Sequence, residues 1–317
     1  MATLRPAWTL ALGRSAPHLG PSSLLRSITR ESALEDSTGA GVRVGIVDSG
    51  IDNGHPAVGG AVRGWAEPVL GEDGGFTYKT DPHEDLFGHG TACAGIIHGI
   101  APAAELFSVR VLGPNLSGKG NVFAAGLRWA IEHDMHVVNL SLGTTKQDYF
   151  ATFHELVDAA YYRGVVLVTA ANNMPVVSFP SLYSVAVSVA CSEDAPGTDP
   201  LEFYVNPSPP VEFGAPGIDL RIAWSGGGYI TATGNSFAAP HMTGIVARLR
   251  SKHPGLTPFE VKTALRAVAR NGRGSDAEGL AIGAGASVDH PVERGAEVGH
   301  GSEQGRELPP VERQQHR

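Results

Sequence analysis

Strand patterns alternate with helix patterns from residue 41 to residue 270, and this alternation constrains the fold more than any other feature. Val165 to Ala170 is a continuous apolar run, rich in β-branched residues, as expected for a strand buried on both faces of a parallel sheet. Consecutive parallel strands need a crossover between them, and the intervening helical patterns provide one. The sequence therefore predicts an α/β fold with three layers, in which helices cover both faces of a mostly parallel central sheet.

The remaining elements follow from apolar periodicity. Four further strands are predicted, at Val42 to Val47, Leu106 to Val111, Val137 to Leu142 and Tyr183 to Cys191. Two helices each have an apolar face, made of Phe123, Leu127, Ala130 and Ile131 in the first and of Phe153, Leu156, Val157 and Ala160 in the second. A last helix is predicted after Thr257, because Thr257 and Glu260 have the spacing of a capping box and Pro258 suits the first helical position.

Composition divides the chain of 317 residues into three parts. Residues 1–40 are mixed and turn-rich, which predicts a loosely ordered leader. Residues 41–288 hold the regular patterns and are predicted to form one domain. In residues 289–317 a few Val, Ala and Leu stand among Gly, Glu, Arg, Pro and Gln, so this polar tail is predicted to be disordered.

Charge and apolar runs argue against two classes of partner. The formal net charge is −8 and no Lys/Arg cluster stands out, so nucleic acid is not an expected partner. No apolar run reaches the ~20 residues of a membrane span, so a membrane is not expected either. Because no convincing secretory signal is present near the N-terminus, a cytoplasmic location is expected.

Three short segments carry candidate catalytic side chains. Asp48 stands at the carboxyl end of an apolar strand pattern, His89 follows Gly88 at the start of a helix of small residues, and Ser236 opens a second helix. Each pattern is weak alone, since an Asp after a strand usually forms a turn and a Ser at a helix start is usually an N-cap. Their order along the chain, Asp then His then Ser, is one of the known orders of a catalytic triad.

All three segments resemble the signatures of the subtilisin (subtilase) family, and the resemblance covers roughly residues 41–270. Further matching segments are Gly50-Ile51-Asp52 with His55-Pro56, Val109-Arg110-Val111-Leu112, Asn139-Leu140-Ser141-Leu142-Gly143, Phe179-Pro180 and Ala215-Pro216-Gly217. The resemblance implies a subtilisin-like fold and a serine endopeptidase that acts on a peptide or protein substrate without a cofactor. Residues 41–288 would then be the catalytic domain.

The resemblance also implies a role for each candidate residue. Ser236 would be the nucleophile and His89 its general base, while Asp48 would hold the tautomer of the imidazole. An Asn after a buried strand would donate to the oxyanion, and register against Phe179-Pro180 favours Asn173 over Asn172.

Two segments that resemble the family's substrate-binding strands are expected to pair with the substrate backbone. Their residues in this chain include Ser117, Gly118, Ser141, Leu142 and Gly143. The pocket for the residue before the scissile bond is predicted to be lined by Leu142, Gly143, Thr144 and Ser178. No acidic side chain is among them, so an apolar or uncharged residue is expected there.

The chain departs from the family at several positions. Asn235 and Phe237 replace the usual Thr and Met on either side of Ser236. The segment Ile97 to Ile100 is too short and apolar for the calcium-binding loop of secreted members, so no metal is expected. His83-Glu84-Asp85 lacks a spaced partner set for a metal and is predicted to be a solvated loop.

These departures favour an intracellular protease that matures a precursor peptide. Two alternatives remain open at this point. A transpeptidase or macrocyclase would use the same triad under a lid that excludes water. A non-catalytic peptide-binding module would lack a triad residue.

Overall fold

The structure is a computed structural model, and it describes residues 28–193 and 199–272. The predicted tail over 289–317 and residues 1–27 of the predicted leader lie outside the described residues. Within the described ranges, no helix has both the length and the apolar character that crossing a membrane requires.

A nine-stranded sheet forms the centre of the described part of the chain. Its strands are β1 (Arg43–Asp48), β2 (Val62–Leu70), β3 (Phe76–Lys79), β4 (Glu105–Arg110), β5 (Val137–Leu140), β6 (Val166–Ala170), β7 (Val187–Cys191), β8 (Tyr204–Val205) and β9 (Phe213–Ala215). Their spatial order is β3-β2-β4-β1-β5-β6-β7-β9-β8. All pairings are parallel except β2 with β3 and β8 with β9 at the two edges.

Helices cover both faces of this sheet. They are α1 (Arg30–Leu34), α2 (His89–Ile100), α3 (Gly120–Glu132), α4 (Phe150–Tyr162), α5 (Asn235–Lys252) and α6 (Pro258–Val268). In β1, Val44 and Ile46 pack with α2 and α5 on one face, whereas Val47 packs with α3 on the other. This alternation follows from the two-residue period of a strand. The predicted three-layer α/β class is confirmed.

The predicted helix faces and the capping box are present. The apolar faces of α3 and α4 are buried, and in α6 the Thr257 side chain accepts from the backbone N–H of Glu260. Two predicted strands are too long. The strand predicted over Val137 to Leu142 ends at Leu140, and the strand predicted over Tyr183 to Cys191 begins only at Val187. Tyr183 is buried although it precedes the strand, so its apolar character signals packing and not β structure.

Sequence reasoning missed the separate two-stranded hairpin and several strands of the sheet, β2 among them. The hairpin of β10 (Leu220–Trp224) and β11 (Gly228–Ala232) has several exposed residues, and β2 contains Pro68 and mixed burial. Such strands have neither the continuous apolar run of a buried strand nor a regular alternation. They therefore lack the periodicity that revealed the central strands.

The predicted loosely ordered leader is wrong for residues 28–40, which include α1. Ala33 and Leu34 are buried in the main core, and the Thr29 side chain caps the helix. Lys252 Nζ, at the end of α5, donates to the carbonyls of Glu31 and Glu35 at 2.7 and 2.8 Å. The Glu31 carbonyl also accepts from the N–H of Glu35 at 3.1 Å, so the lysine is its second donor. Carbonyls at the end of a helix, such as that of Glu35, lack intrahelical donors, so a lysine satisfies them well.

We expect Leu34→Ala to lower the free energy of unfolding by about 2–5 kcal/mol, because it would leave a cavity beneath α1. The matched change Leu70→Ala, at a side chain 43% exposed, should cost less than about 0.5 kcal/mol. Equilibrium denaturation of both variants measures the difference. Equal, small effects would show that α1 is not part of the cooperative domain.

Candidate active site

Asp48 and His89 form a buried pair at the carboxyl end of β1. His89 Nδ1 lies 2.9 Å from both carboxylate oxygens of Asp48, and the backbone N–H of Ser49 donates to Asp48 Oδ1 at 2.8 Å. The side chains of Asp48 and His89 are 1% and 6% exposed. A carboxylate this deeply buried requires such partners. Because Nδ1 is engaged by the carboxylate, Nε2 is left for chemistry.

The two glycines that flank His89 allow the backbone to approach its neighbours closely. Gly88 has φ +118°, and a Cβ there would lie 2.5 Å from the ring of Trp224. A Cβ on Gly90 would lie 2.0 Å from the carbonyl oxygen of Gly50. Neither position tolerates a side chain. The Gly-His-Gly pattern is therefore required by the packing of the start of α2 against Trp224 at the end of β10 and against Gly50 just after β1.

A second carboxylate, Asp85, orders the turn that leads into α2. It accepts five hydrogen bonds, from the hydroxyls of Ser49 and Thr91 and from the N–H groups of Phe87, Gly88 and Thr91. The prediction of a solvated loop over 83–85 is therefore wrong for Asp85. An acidic residue just before a helix of small residues was the available signal, since helix N-termini attract carboxylates.

Ser236 lies in the first turn of α5 and is half-buried. The Cys93 thiol contacts all three predicted triad residues. Its Sγ lies 3.8 Å from Asp48 Oδ2, 4.0 Å from His89 Nδ1 and 3.7 Å from the carbonyl oxygen of Ser236. The ring of Phe237 lies 5.4 Å from that of His89, centroid to centroid. The fold thus brings the side chains of Asp48 and His89 and the backbone carbonyl of Ser236 around one thiol, although these residues are far apart along the chain.

Asn173, and not Asn172, faces the Ser236 turn. Asn173 Oδ1 accepts from the N–H of Asn235 at 2.9 Å, which leaves its Nδ2 group as a donor. A Cβ on Gly234 would lie 3.2 Å from Ser236 Oγ and 3.7 Å from Asn173 Nδ2, so both atoms border the space above this glycine. Asn172 Oδ1 instead accepts from the N–H of Met174 in a local turn.

The Asn235 side chain, which replaces the usual Thr, does not point at this space. Its Oδ1 accepts from the N–H of Cys191, and its Nδ2 donates to the carbonyls of Ala171 and Asn172 at 3.4 and 3.1 Å. It therefore ties the start of α5 to the ends of β6 and β7. This role is structural, and it holds the segment that carries Asn173.

A cleft of about 360 Å³ adjoins His89. It is lined by six of the predicted substrate residues, which are Ser117, Gly118, Ser141, Leu142, Gly143 and Thr144. Leu112, Leu116 and Phe123 add an apolar wall. Ser178 does not line it, because this side chain is 4% exposed and its hydroxyl pairs with that of Ser181 at 3.0 Å. A larger cavity of about 590 Å³ lies around Asp52 and Trp65 and contains none of the predicted site residues.

The electrostatic environment favours a charged imidazole. Burial by itself lowers the pKa of His89, but the charge and hydrogen bond of Asp48 outweigh it and hold the pKa well above the ordinary value of 6.5. Burial also raises the pKa of the Cys93 thiol. The donor atoms of Asp48, His89 and Cys93 lie within 4.8 Å of one another, so a soft cation could bind only by displacing the Asp48–His89 contact.

Known proteins share this sequence pattern. The family model of the subtilase family, peptidase S8, matches residues 39–285. M-protease of Shouchella clausii (strain KSM-K16) is 33% identical over 240 residues, which are 72% of this chain and 59% of that protein. Subtilisin Savinase of Lederbergia lenta is 33% identical over 240 residues, which are 72% of this chain and 83% of that protein. The chain thus spans less than two thirds of the length of M-protease but most of subtilisin Savinase.

A solved structure agrees with these sequence relatives. A cold-adapted subtilisin-like serine proteinase superposes with a TM-score of 0.60 at 25% identity, over 75% of this chain and 86% of that one. Family model, relatives and fold point the same way, and the chain belongs to the subtilase family, peptidase S8.

Proposed function

We propose that this protein is a serine endopeptidase that cleaves peptide bonds through an acyl-enzyme on Ser236. The supporting observation is the buried Asp48–His89 pair. The Cys93 thiol contacts both this pair and the carbonyl of Ser236, and the cleft adjoins His89. Membership of the subtilase family supports the same activity. Deep burial of a carboxylate and an imidazole costs free energy, so their retention together beside a serine is best explained by catalysis.

The chemistry follows from the side chains. In acylation, Ser236 Oγ attacks the scissile carbonyl carbon as its proton passes to His89 Nε2, and Asp48 stabilises the resulting imidazolium. Asn173 Nδ2 and the N–H of Ser236, which has no acceptor within the helix, donate to the oxyanion. His89 then protonates the leaving amine, the C–N bond breaks, and water activated by His89 hydrolyses the ester.

The cleft indicates the kind of peptide that is bound. Its wall of Leu112, Leu116, Phe123 and Leu142 favours apolar substrate side chains, while the segment Ser141 to Gly143 offers main-chain groups to an extended peptide. Maturation of a precursor peptide remains a prediction within this proposal. A peptide library cleaved at one narrow motif would support it, and broad cleavage after many apolar residues would contradict it.

We expect Ser236→Ala to lower peptide hydrolysis by about 10⁴-fold or more and to leave the folded state intact, because it removes one half-buried hydroxyl. A fluorophosphonate should label the wild type at Ser236, as mapped by peptide mass spectrometry, and should not label the variant. Thermal unfolding provides the control for folding. Undiminished hydrolysis by the purified variant would overturn the proposed function.

The two neighbouring asparagines offer a matched pair. Asn173→Ala should lower kcat by about 10²- to 10³-fold with little change in KM, since its amide would act on charge that develops only in the transition state. Asn172→Ala deletes the same atoms from a local turn and should change kcat less than about threefold. A greater loss of kcat in Asn172→Ala would mean that the oxyanion donor is assigned to the wrong residue.

The raised pKa of His89 should appear in the pH profile. His89 acts as a base only when neutral, so kcat/KM should rise with pH through a pKa above 6.5. Asp48→Asn removes the charge that raises this pKa, so the rising limb should move to lower pH while kcat falls about 10⁴-fold. Asp158→Asn makes the same change at an exposed carboxylate and should leave the profile in place. An unmoved limb in Asp48→Asn would refute this account.

A further inference from the structure

The carbonyl group of Ser236 lacks the i+4 backbone donor that an α-helix normally provides. In an α-helix the carbonyl of residue i accepts from the N–H of residue i+4, and for Ser236 that residue is Pro240. Proline has no N–H. The peptide that follows the proposed nucleophile therefore lacks the hydrogen bond that would hold its plane in an ordinary helix.

The Ser141 side chain supplies the missing donor. Its Oγ lies 2.8 Å from the carbonyl oxygen of Ser236, whereas the Cys93 thiol, a weak donor, lies 3.7 Å from the same atom. Ser141 follows the end of β5 and is 8% exposed, so water does not readily replace this bond. A side chain from the sheet thus completes the first turn of α5.

The direction of the Ser141 hydroxyl is itself fixed by a buried chain of hydrogen bonds. Asn139 Nδ2 donates to Ser141 Oγ at 3.0 Å. Thr243 Oγ1 shares its single proton between Asn139 Oδ1 at 2.9 Å and the carbonyl of Ala239 at 3.0 Å. Asn139 and Thr243 are both 0% exposed. Because Ser141 Oγ accepts from Asn139, its single proton is available for the carbonyl of Ser236. The chain starts on α5 at Thr243 and returns to the same helix at Ser236.

We propose that Ser141 and Asn139 are positioning residues, which fix the orientation of the Ser236 peptide and so the direction of its Oγ. This inference rests on the proposed function. Ser141 also lines the cleft. One residue therefore forms part of the wall along which a peptide lies and also orients the nucleophile that attacks it. Attack requires the reacting atoms in near-contact alignment, and small displacements reduce the rate strongly.

A double-mutant cycle with Pro240 tests this assignment, with the second-order rate of fluorophosphonate labelling of Ser236 as its readout. Ser141→Ala should slow labelling by about tenfold or more, and should lower kcat more than it changes KM. Pro240→Ala restores an N–H at the position that can pair with the Ser236 carbonyl. In that background, Ser141→Ala should slow labelling by less than about threefold.

Two further variants separate positioning from stability. Ser141→Cys keeps a donor of similar geometry, but a weaker one, so its labelling rate should lie between those of the wild type and Ser141→Ala. A reductant is needed in this assay, because Cys93 Sγ lies 3.4 Å from the position of Ser141 Oγ and could form a disulfide with the new thiol. Ser188→Ala removes another buried hydroxyl, which donates to the carbonyl of Pro210 at 3.1 Å. It should lower the melting temperature and leave the labelling rate unchanged.

The outcomes are distinct. If Ser141→Ala slows labelling equally in the wild-type and the Pro240→Ala backgrounds, the positioning role is overturned, as it is if Ser141→Cys labels at the wild-type rate. A folded wild type that is not labelled at Ser236 would instead refute the proposed function on which the inference rests. If Ser188→Ala slowed labelling as much as Ser141→Ala does, a general loss of stability would explain both results, and the positioning role would be contradicted.

Discussion

The burial of the Asp48 carboxylate is the constraint on which the rest of the candidate active site depends. A charge in a fully buried position is strongly unfavourable unless its oxygens are paired. His89 and the N–H of Ser49 provide the pairing, and α2 must therefore begin against the end of β1. That approach requires glycine at positions 88 and 90, because a side chain at either would collide with Trp224 or with Gly50. One electrostatic requirement thus dictates the local backbone.

The helix α5 joins the candidate active site to the integrity of the domain. Its first turn carries Ser236, its middle is buried against the sheet, and its last turn holds α1 through Lys252. The proline in its second turn would weaken a helix that stood alone, yet here it frees a carbonyl that the sheet can bind through Ser141. The proposed nucleophile is therefore anchored to the residue that follows β5 and not only to its own helix.

Polar groups in the core of this site form chains that end on backbone atoms. Asp85 orders the turn before His89, Asn235 holds the segment of Asn173, and Asn139 directs Ser141. Asn139 is fully buried and Asp85 and Asn235 are half-buried, and polar groups satisfied in this way strengthen their neighbours where the dielectric is low. Rigid placement of the reacting groups is what transition-state stabilisation requires, since fixed dipoles need no reorganisation during the reaction.

The sequence by itself determined the layer architecture, because periodicity in Val165 to Ala170 and in the faces of α3, α4 and α6 reflects burial directly. It also determined the candidates Asp48, His89 and Ser236, since the short motifs around these residues can be recognised without knowledge of tertiary contacts. Only the tertiary structure decided that Asp85 accepts the hydrogen bonds that order the turn before His89, that Ser178 is buried and paired with Ser181, and that residues 28–40 pack on α5. The contact of residues 28–40 with α5 joins segments that are far apart in sequence. The bonds of Asp85 and of Ser178 are local, but they depend on side-chain direction and burial, which apolar periodicity does not report.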